Sequence, residues 1–264
     1  MDHDDILPEI LVRLPPRPSS LLNASLVCKR WRRLLAEPYF LRCLRAHHRE
    51  IPLLGFFADE VGVLRFRPLL KPPDRIPSER LSTATYRDDG WLFLECRHGL
   101  ALFLNRERME LTVWDPITGE KHFLAVPPGF SGQDPRLLVR SAALVCDDSK
   151  QAFRVIVLRH DDVIRDDKPQ VFASVYESET GVWGNLISAS IAAPLWLGKP
   201  SVLVGSSLCR WLRGYGNSGI LEFDLESQSL AVIETPEDAR VTPCSNFQIL
   251  RTEDNGLGLA VCQV

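Results

Sequence analysis

Apolar side chains recur at helical spacing over the first fifth of the chain and at strand spacing after it. Ile6, Ile10 and Leu14 form an i, i+4, i+8 row flanked by Leu7 and Leu11, which predicts a helix. Asp4 or Asp5 supplies its N-cap, and Pro8 falls in the first turn, where a missing N–H costs little. The prolines at 15, 16 and 18 stop that helix. Ser19 or Ser20 then offers a cap for a second one opening on Leu21, Leu22 and Ala24. Val27, Trp31, Leu34 and Leu35 predict an apolar stripe opposite Lys29, Arg32 and Arg33. Pro38 breaks the chain again, and Tyr39, Phe40, Leu41 and Leu44 open a last short segment. The pattern predicts three or four short helices before residue 50.

From residue 51 the periodicity changes to two. Strands are predicted at 53–57, 62–66, 91–96, 100–104, 111–114, 121–126, 137–146, 153–159, 171–176, 202–204, 207–212, 219–224, 229–233, 247–251 and 257–261. Turn residues separate them, as at Asp115-Pro116, Pro127-Pro128-Gly129 and Asp254-Asn255-Gly256. A loose phrase recurs: an apolar strand, an aromatic, an acid, then a tight turn. It reads Val113-Trp114-Asp115, Val175-Tyr176-Glu177 and Glu222-Phe223-Asp224. Four-stranded units of a β-propeller carry such a repeat on their outer strands; a β-sandwich with long loops is the alternative. The last unit holds only half its strands. The expected architecture is therefore α+β in two parts, a three-helix domain over residues 1–50 and an incomplete propeller-like β domain over 51–264.

The helical part has an energetic problem. About 45 residues is near the lower limit for an independent core, yet this stretch carries a dozen or more large apolar side chains. Each is worth about 1.5–3 kcal/mol when fully buried. Three short helices cannot enclose them all, so either the β domain or a partner protein covers the surplus.

Composition narrows the class. Across 264 residues, 45% are hydrophobic and 25% charged, as in ordinary globular chains, which argues against global disorder. No apolar run is long enough to cross a bilayer, and the acidic N-terminus is unlike a signal peptide, so membrane and secretory readings are disfavoured. The net charge of −3 disfavours a polyanion binder. Residues 1–50 nevertheless carry nine Lys/Arg against six Asp/Glu, while the remainder carries 22 against 28. Seven scattered cysteines without a C-x-x-C predict no zinc site and reduced thiols, hence a cytoplasmic or nuclear protein.

Asp5-Asp-Ile-Leu-Pro-Glu-Ile-Leu-Val-Arg-Leu-Pro-Pro16, Ser25-Leu-Val-Cys-Lys-Arg-Trp-Arg-Arg-Leu-Leu35 and Pro38-Tyr-Phe-Leu41 together resemble an F-box. The likeness is to the plant type that precedes an F-box-associated β-propeller. A looser similarity runs through Leu53-Leu-Gly-Phe-Phe57, Cys96-Arg-His-Gly-Leu100 and Val113-Trp-Asp-Pro-Ile-Thr-Gly119. The resemblance implies a non-catalytic substrate-recognition subunit of an SCF-type cullin-RING ubiquitin ligase. Its F-box docks a Skp-family adaptor, and its β domain holds a target protein. The adaptor-facing residues it implies are Leu7, Ile10, Leu11, Leu14, Pro15, Leu21, Leu22, Val27, Cys28 and Trp31. The Leu-Pro usual upstream of the first helix is absent, and some 210 residues fall short of six blades. The expectation that follows is a truncated chain; the rival function is a decoy that occupies the adaptor without recruiting substrate.

Other motifs give way to simpler readings. Gly214-Tyr-Gly216-Asn-Ser-Gly219 matches a dinucleotide fingerprint in form, but a strand pattern follows where the phosphate-binding helix should begin. Trp114-Asp115 is a single copy without a 40-residue period. The basic residues between Lys29 and Arg49 lie largely opposite Trp31, as on a solvated face or one meeting an acidic adaptor. His47-His48 point apart on a helix, and Asp161-Asp162 with Asp166-Asp167 lack cation-loop spacing. No cofactor, metal, nucleic-acid or catalytic site is expected.

Overall fold

The computed structural model describes residues 6–48, 53–60, 63–78, 90–115, 120–127, 129–130, 139, 141–147, 152–161, 169–195, 200–213, 218–235 and 247–261. The chain divides into two compact units, Met1–Trp91 with Asp147–Ala152, and Leu92–Cys146 with Phe153–Val264.

The first unit opens with four helices, not three: α1 (Ile6–Val12), α2 (Pro18–Val27), α3 (Lys29–Leu35) and α4 (Pro38–His47). Cys28 makes the extra break. Its backbone is extended, φ −162° and ψ 169°, so α2 ends at Val27 and α3 restarts at Lys29. Val27 is thereby removed from the stripe predicted with Trp31, Leu34 and Leu35, and stands exposed. Pro18 and Pro38 occupy first-turn positions, where φ is already right and no N–H is needed. The expected serine cap is also displaced. Arg17 is the N-cap residue and gives no side-chain bond, while Ser19 lies inside the first turn. The predicted caps Asp4 and Asp5 lie outside the described residues.

Leu11, Ala24, Phe40 and Leu44 form the bundle core, ringed by half-buried Leu7, Val12, Leu14, Leu21, Trp31, Leu34, Leu35 and Leu41. His48 Nε2–H donates to the Val12 carbonyl at 2.8 Å and ties the end of α4 to the end of α1. A hairpin follows, β1 (Gly55–Glu60) paired with β2 (Val63–Pro68), with the Phe57 and Phe66 rings 5.5 Å apart. Gly55 is required there: a Cβ would lie 2.4 Å from the Arg67 carbonyl oxygen.

The second unit is a run of antiparallel meanders. The first sheet is β3 (Trp91–Arg97), β4 (Leu100–Asn105), β5 (Glu110–Trp114) and β6 (Lys121–Ala125), in that spatial order. The second is β7 (Ser141–Asp147), β8 (Ala152–His160), β9 (Gln170–Glu177) and β10 (Val182–Trp183), with β11 (Ile187–Ser190) also pairing β9. The third is β12 (Val202–Val204), β13 (Ser207–Arg213), β14 (Ser218–Asp224) and β15 (Ser229–Glu234). A two-stranded sheet of β16 (Phe247–Arg251) and β17 (Leu257–Val261) comes last among the described residues.

The sheets stack through alternating side chains. Leu144, Val155 and Val157 pack against Leu102, Leu104, Leu111 and Val113 of the first sheet. Their neighbours Val145, Ile156 and Leu158 point the other way, onto Leu208, Leu212, Leu221 and Phe223 of the third. Cys209 and Trp211 then meet Phe247 and Ile249 of the last. A middle sheet buried on both faces needs apolar residues at consecutive positions, which explains the unbroken runs in β7 and β8. Among the described residues no apolar cluster joins the last sheet to the first, and the propeller is not closed.

The repeated phrase lies in equivalent places, at the end of β5, β9 and β14, the third strand in chain order of each of the three larger sheets. In β14 the aromatic Phe223 is buried, and Asp224 Oδ1 accepts the Glu226 and Ser227 N–H groups of the next turn at 3.0 and 2.6 Å. The Ser227 N–H and hydroxyl, helped by Ser206 and the Glu226 N–H, hold the Asp224 carboxyl below the usual carboxylate range. Behind the glycine motif, Ser218–Asp224 is strand, so no helix N-terminus follows it.

Candidate functional site

The helical unit leaves several large apolar side chains outside its core. Ile6 and Ile10 stand one turn apart on α1, and Leu22 and Leu26 one turn apart on α2, followed by Val27. Ile10 is 54% exposed, Leu22 61%, Leu26 66% and Val27 62%. Tyr39 at the start of α4 is exposed as well. Helices of seven to ten residues present few positions to a common interior. Four side chains fill that interior, and the outward-turned ones stay wet.

Beside this face lies a groove of about 500 Å³ lined by Leu7, Pro8, Lys29, Arg30, Arg33, Leu34 and Glu37. Its lining combines apolar Leu7, Pro8 and Leu34 with three cations and one carboxylate. The extended residue Cys28 places the start of α3 next to the end of α2. Arg32 Nε donates to the Ser25 carbonyl at 3.4 Å and so satisfies a carbonyl in the last turn of α2, while Ser25 Oγ bonds back to the Leu22 carbonyl at 2.6 Å.

The ten residues implied by the resemblance fall into three groups. Ile10, Pro15, Leu22, Val27 and Cys28 are exposed. Leu7, Leu14, Leu21 and Trp31 are half-buried, each packed on the bundle core while keeping an outward edge. Leu11 is different: at 1% exposure it is a core residue, enclosed with Ala24, Phe40 and Leu44, and offers a partner no surface. Leu26 and Ile6 were absent from that set. Their signal was their place one turn after Leu22 and one turn before Ile10.

Two family models match the chain. The F-box-like model covers residues 4–46, and the β-propeller model of the F-box protein AT5G49610-like family covers residues 92–263. The chain belongs to this family of F-box proteins with a β-propeller domain. One similar protein is F-box protein At5g07610 of Arabidopsis thaliana, 22% identical over 253 residues, which include 89% of this chain and 57% of the relative. The chain thus spans under two thirds of that relative's length.

Proposed function

We propose that this chain is the substrate-receptor subunit of an SCF-type cullin-RING ubiquitin ligase, working in the cytoplasm or nucleus. It docks a Skp-family adaptor through α1–α3 and holds a target protein on its β unit. One observation carries the reading: the large apolar side chains Ile10, Leu22, Leu26 and Val27 that the helical unit leaves exposed. Each such side chain is worth about 1.5–3 kcal/mol when buried, so a partner covering most of them gains enough to offset the several-kcal/mol cost of association. The receptor does no chemistry itself; it raises the local concentration of a target lysine near a charged conjugating enzyme.

The test is a calorimetric titration of a purified Skp-family adaptor onto the full chain. One-to-one binding is expected, weakening as salt rises because Lys29, Arg30 and Arg33 rim the groove beside the apolar face. No heat at micromolar concentrations at several well-separated temperatures contradicts the proposal. The rival reading is a decoy that occupies the adaptor through the same exposed side chains without holding a target. Reconstituted ubiquitylation of any protein that co-purifies with the chain separates the two, since a decoy supports none.

A further inference from the structure

Residues 47–91 lie between the two family-model matches, which end at 46 and begin at 92. Chain compactness nevertheless groups them with the helices. Within this stretch the segment 69–78 turns at Asp74, whose N–H donates to the Lys71 carbonyl at 3.0 Å. The Asp74 side chain is 12% exposed and is aimed at the first turn of α2. Its Oδ1 accepts the Ser19 N–H at 3.0 Å and the Ser19 hydroxyl at 2.6 Å. Arg17 faces its other oxygen, Nη1 to Oδ2, at 4.0 Å.

The donors at this helix end can be accounted for one by one. Pro18 has no N–H, and Ser20 N–H donates to the Arg17 carbonyl at 3.0 Å. Arg17 supplies no side-chain cap. Ser19 N–H is therefore the donor left over, and Asp74 accepts it from 55 residues away. A carboxylate at a helix N-terminus also meets the positive end of the helix dipole. An N-cap is thus supplied by a distant segment, outside the stretch that the F-box model recognises.

We propose that the docking unit of this chain extends through residue 78, with Asp74 as a positioning residue that fixes α2, and with it Leu22, Leu26 and Val27, in the orientation the adaptor meets. This inference rests on the docking reading above. The segment 69–78 is then a working part of the helical unit and not a spacer.

The test compares the full chain with Asp74→Ala and Asp74→Asn, reading amide hydrogen exchange across α2 and affinity for a purified Skp-family adaptor. Asp74→Ala is expected to speed exchange in the first turn of α2 and to weaken adaptor binding, each by roughly fivefold, with exchange across 92–261 unchanged. Asp74→Asn keeps an acceptor oxygen and restores most of both. Acid separates the two variants further. The bonds from Ser19 hold the Asp74 carboxyl below its usual value of 3.8, so the wild-type cap is fully present above that value and is lost as pH falls through the depressed one. In Asp74→Asn this acid loss is absent. Wild-type exchange in Asp74→Ala overturns the proposal, and so does faster exchange with unaltered affinity. If the wild-type chain binds no adaptor, the docking reading and the positioning role fail together, while the exchange data still decide whether Asp74 orders α2.

Discussion

Replacing Glu95 by alanine is expected to destabilise the β unit by about 3–5 kcal/mol, because it strips the partner from several buried groups at once. Glu95 is buried on β3, at the edge of the first sheet. Its Oε1 accepts the Leu144 N–H at 2.5 Å, and its Oε2 accepts the Ser201 hydroxyl at 2.8 Å. Leu144 lies on β7, the edge strand of the second sheet, and Ser201 immediately precedes β12, the edge strand of the third. Arg97 Nε lies 3.6 Å from Glu95 Oε1, and Arg97 Nη2 donates to the Ser201 carbonyl at 2.8 Å. One carboxylate and one guanidinium on β3 thus satisfy the Leu144 N–H of β7 and the Ser201 carbonyl just before β12, backbone groups that edge positions would otherwise leave unpaired. Arg210 is buried in the same field; burial pushes its guanidinium down to about 10, opposed by the Glu95 charge.

Alanine at 95 leaves a buried amide, a hydroxyl and two arginines uncompensated. Glutamine keeps the shape and one acceptor, so its cost is expected to be smaller, about 1–3 kcal/mol. Equilibrium denaturation of the full chain measures both. An alanine variant within about 0.5 kcal/mol of wild type, the range of an ordinary surface change, contradicts the account of Glu95 as the tie between the sheets.

The second large effect belongs to the helical face. Leu22→Asp together with Val27→Asp is expected to weaken adaptor binding at least about a hundredfold, since two apolar anchors are lost and two carboxylates must be desolvated. Both side chains are more than 60% exposed in the chain alone, so its thermal stability should barely move. Leu11→Ala is the control with the opposite signature. It removes a core side chain and should cost the bundle about 2–5 kcal/mol. Undiminished binding by the double variant would sink the proposed docking face.

What the sequence made legible follows from how local each signal is. The helices announced themselves through i, i+4 rows and prolines, and the strands β12, β16 and β17 have the bounds their alternation predicts. The aromatic–acid phrase marked β5, β9 and β14, and in β14 both its residues have local work, Phe223 in the core and Asp224 in the adjoining turn. The break at Cys28 was hidden, since Leu-Val-Cys-Lys-Arg-Trp keeps helical periodicity through a residue whose backbone is extended. Strands β10 and β11 were missed: they are two and four residues long, and serines alternate through the longer one.

The docking face was only partly readable. Leu7 and Leu11 flank the Ile6–Ile10 row on α1, and choosing which of these turns inward requires knowing where Phe40 and Leu44 come to rest. Asp74 and Glu95 carried no sequence signal. Their partners lie 55 residues away in one case, and 49 and 106 in the other, with no periodicity to connect them.

The central claim is that α1–α3 present an apolar face meant for an adaptor. Hydrogen exchange of the full chain, free and bound to a purified Skp-family adaptor, tests it most directly. The account predicts new protection across residues 6–35, strongest around Ile10 and from Leu22 to Lys29, with residues 92–261 unaffected. Protection confined to 92–261, or none on the helices of a formed complex, would contradict it.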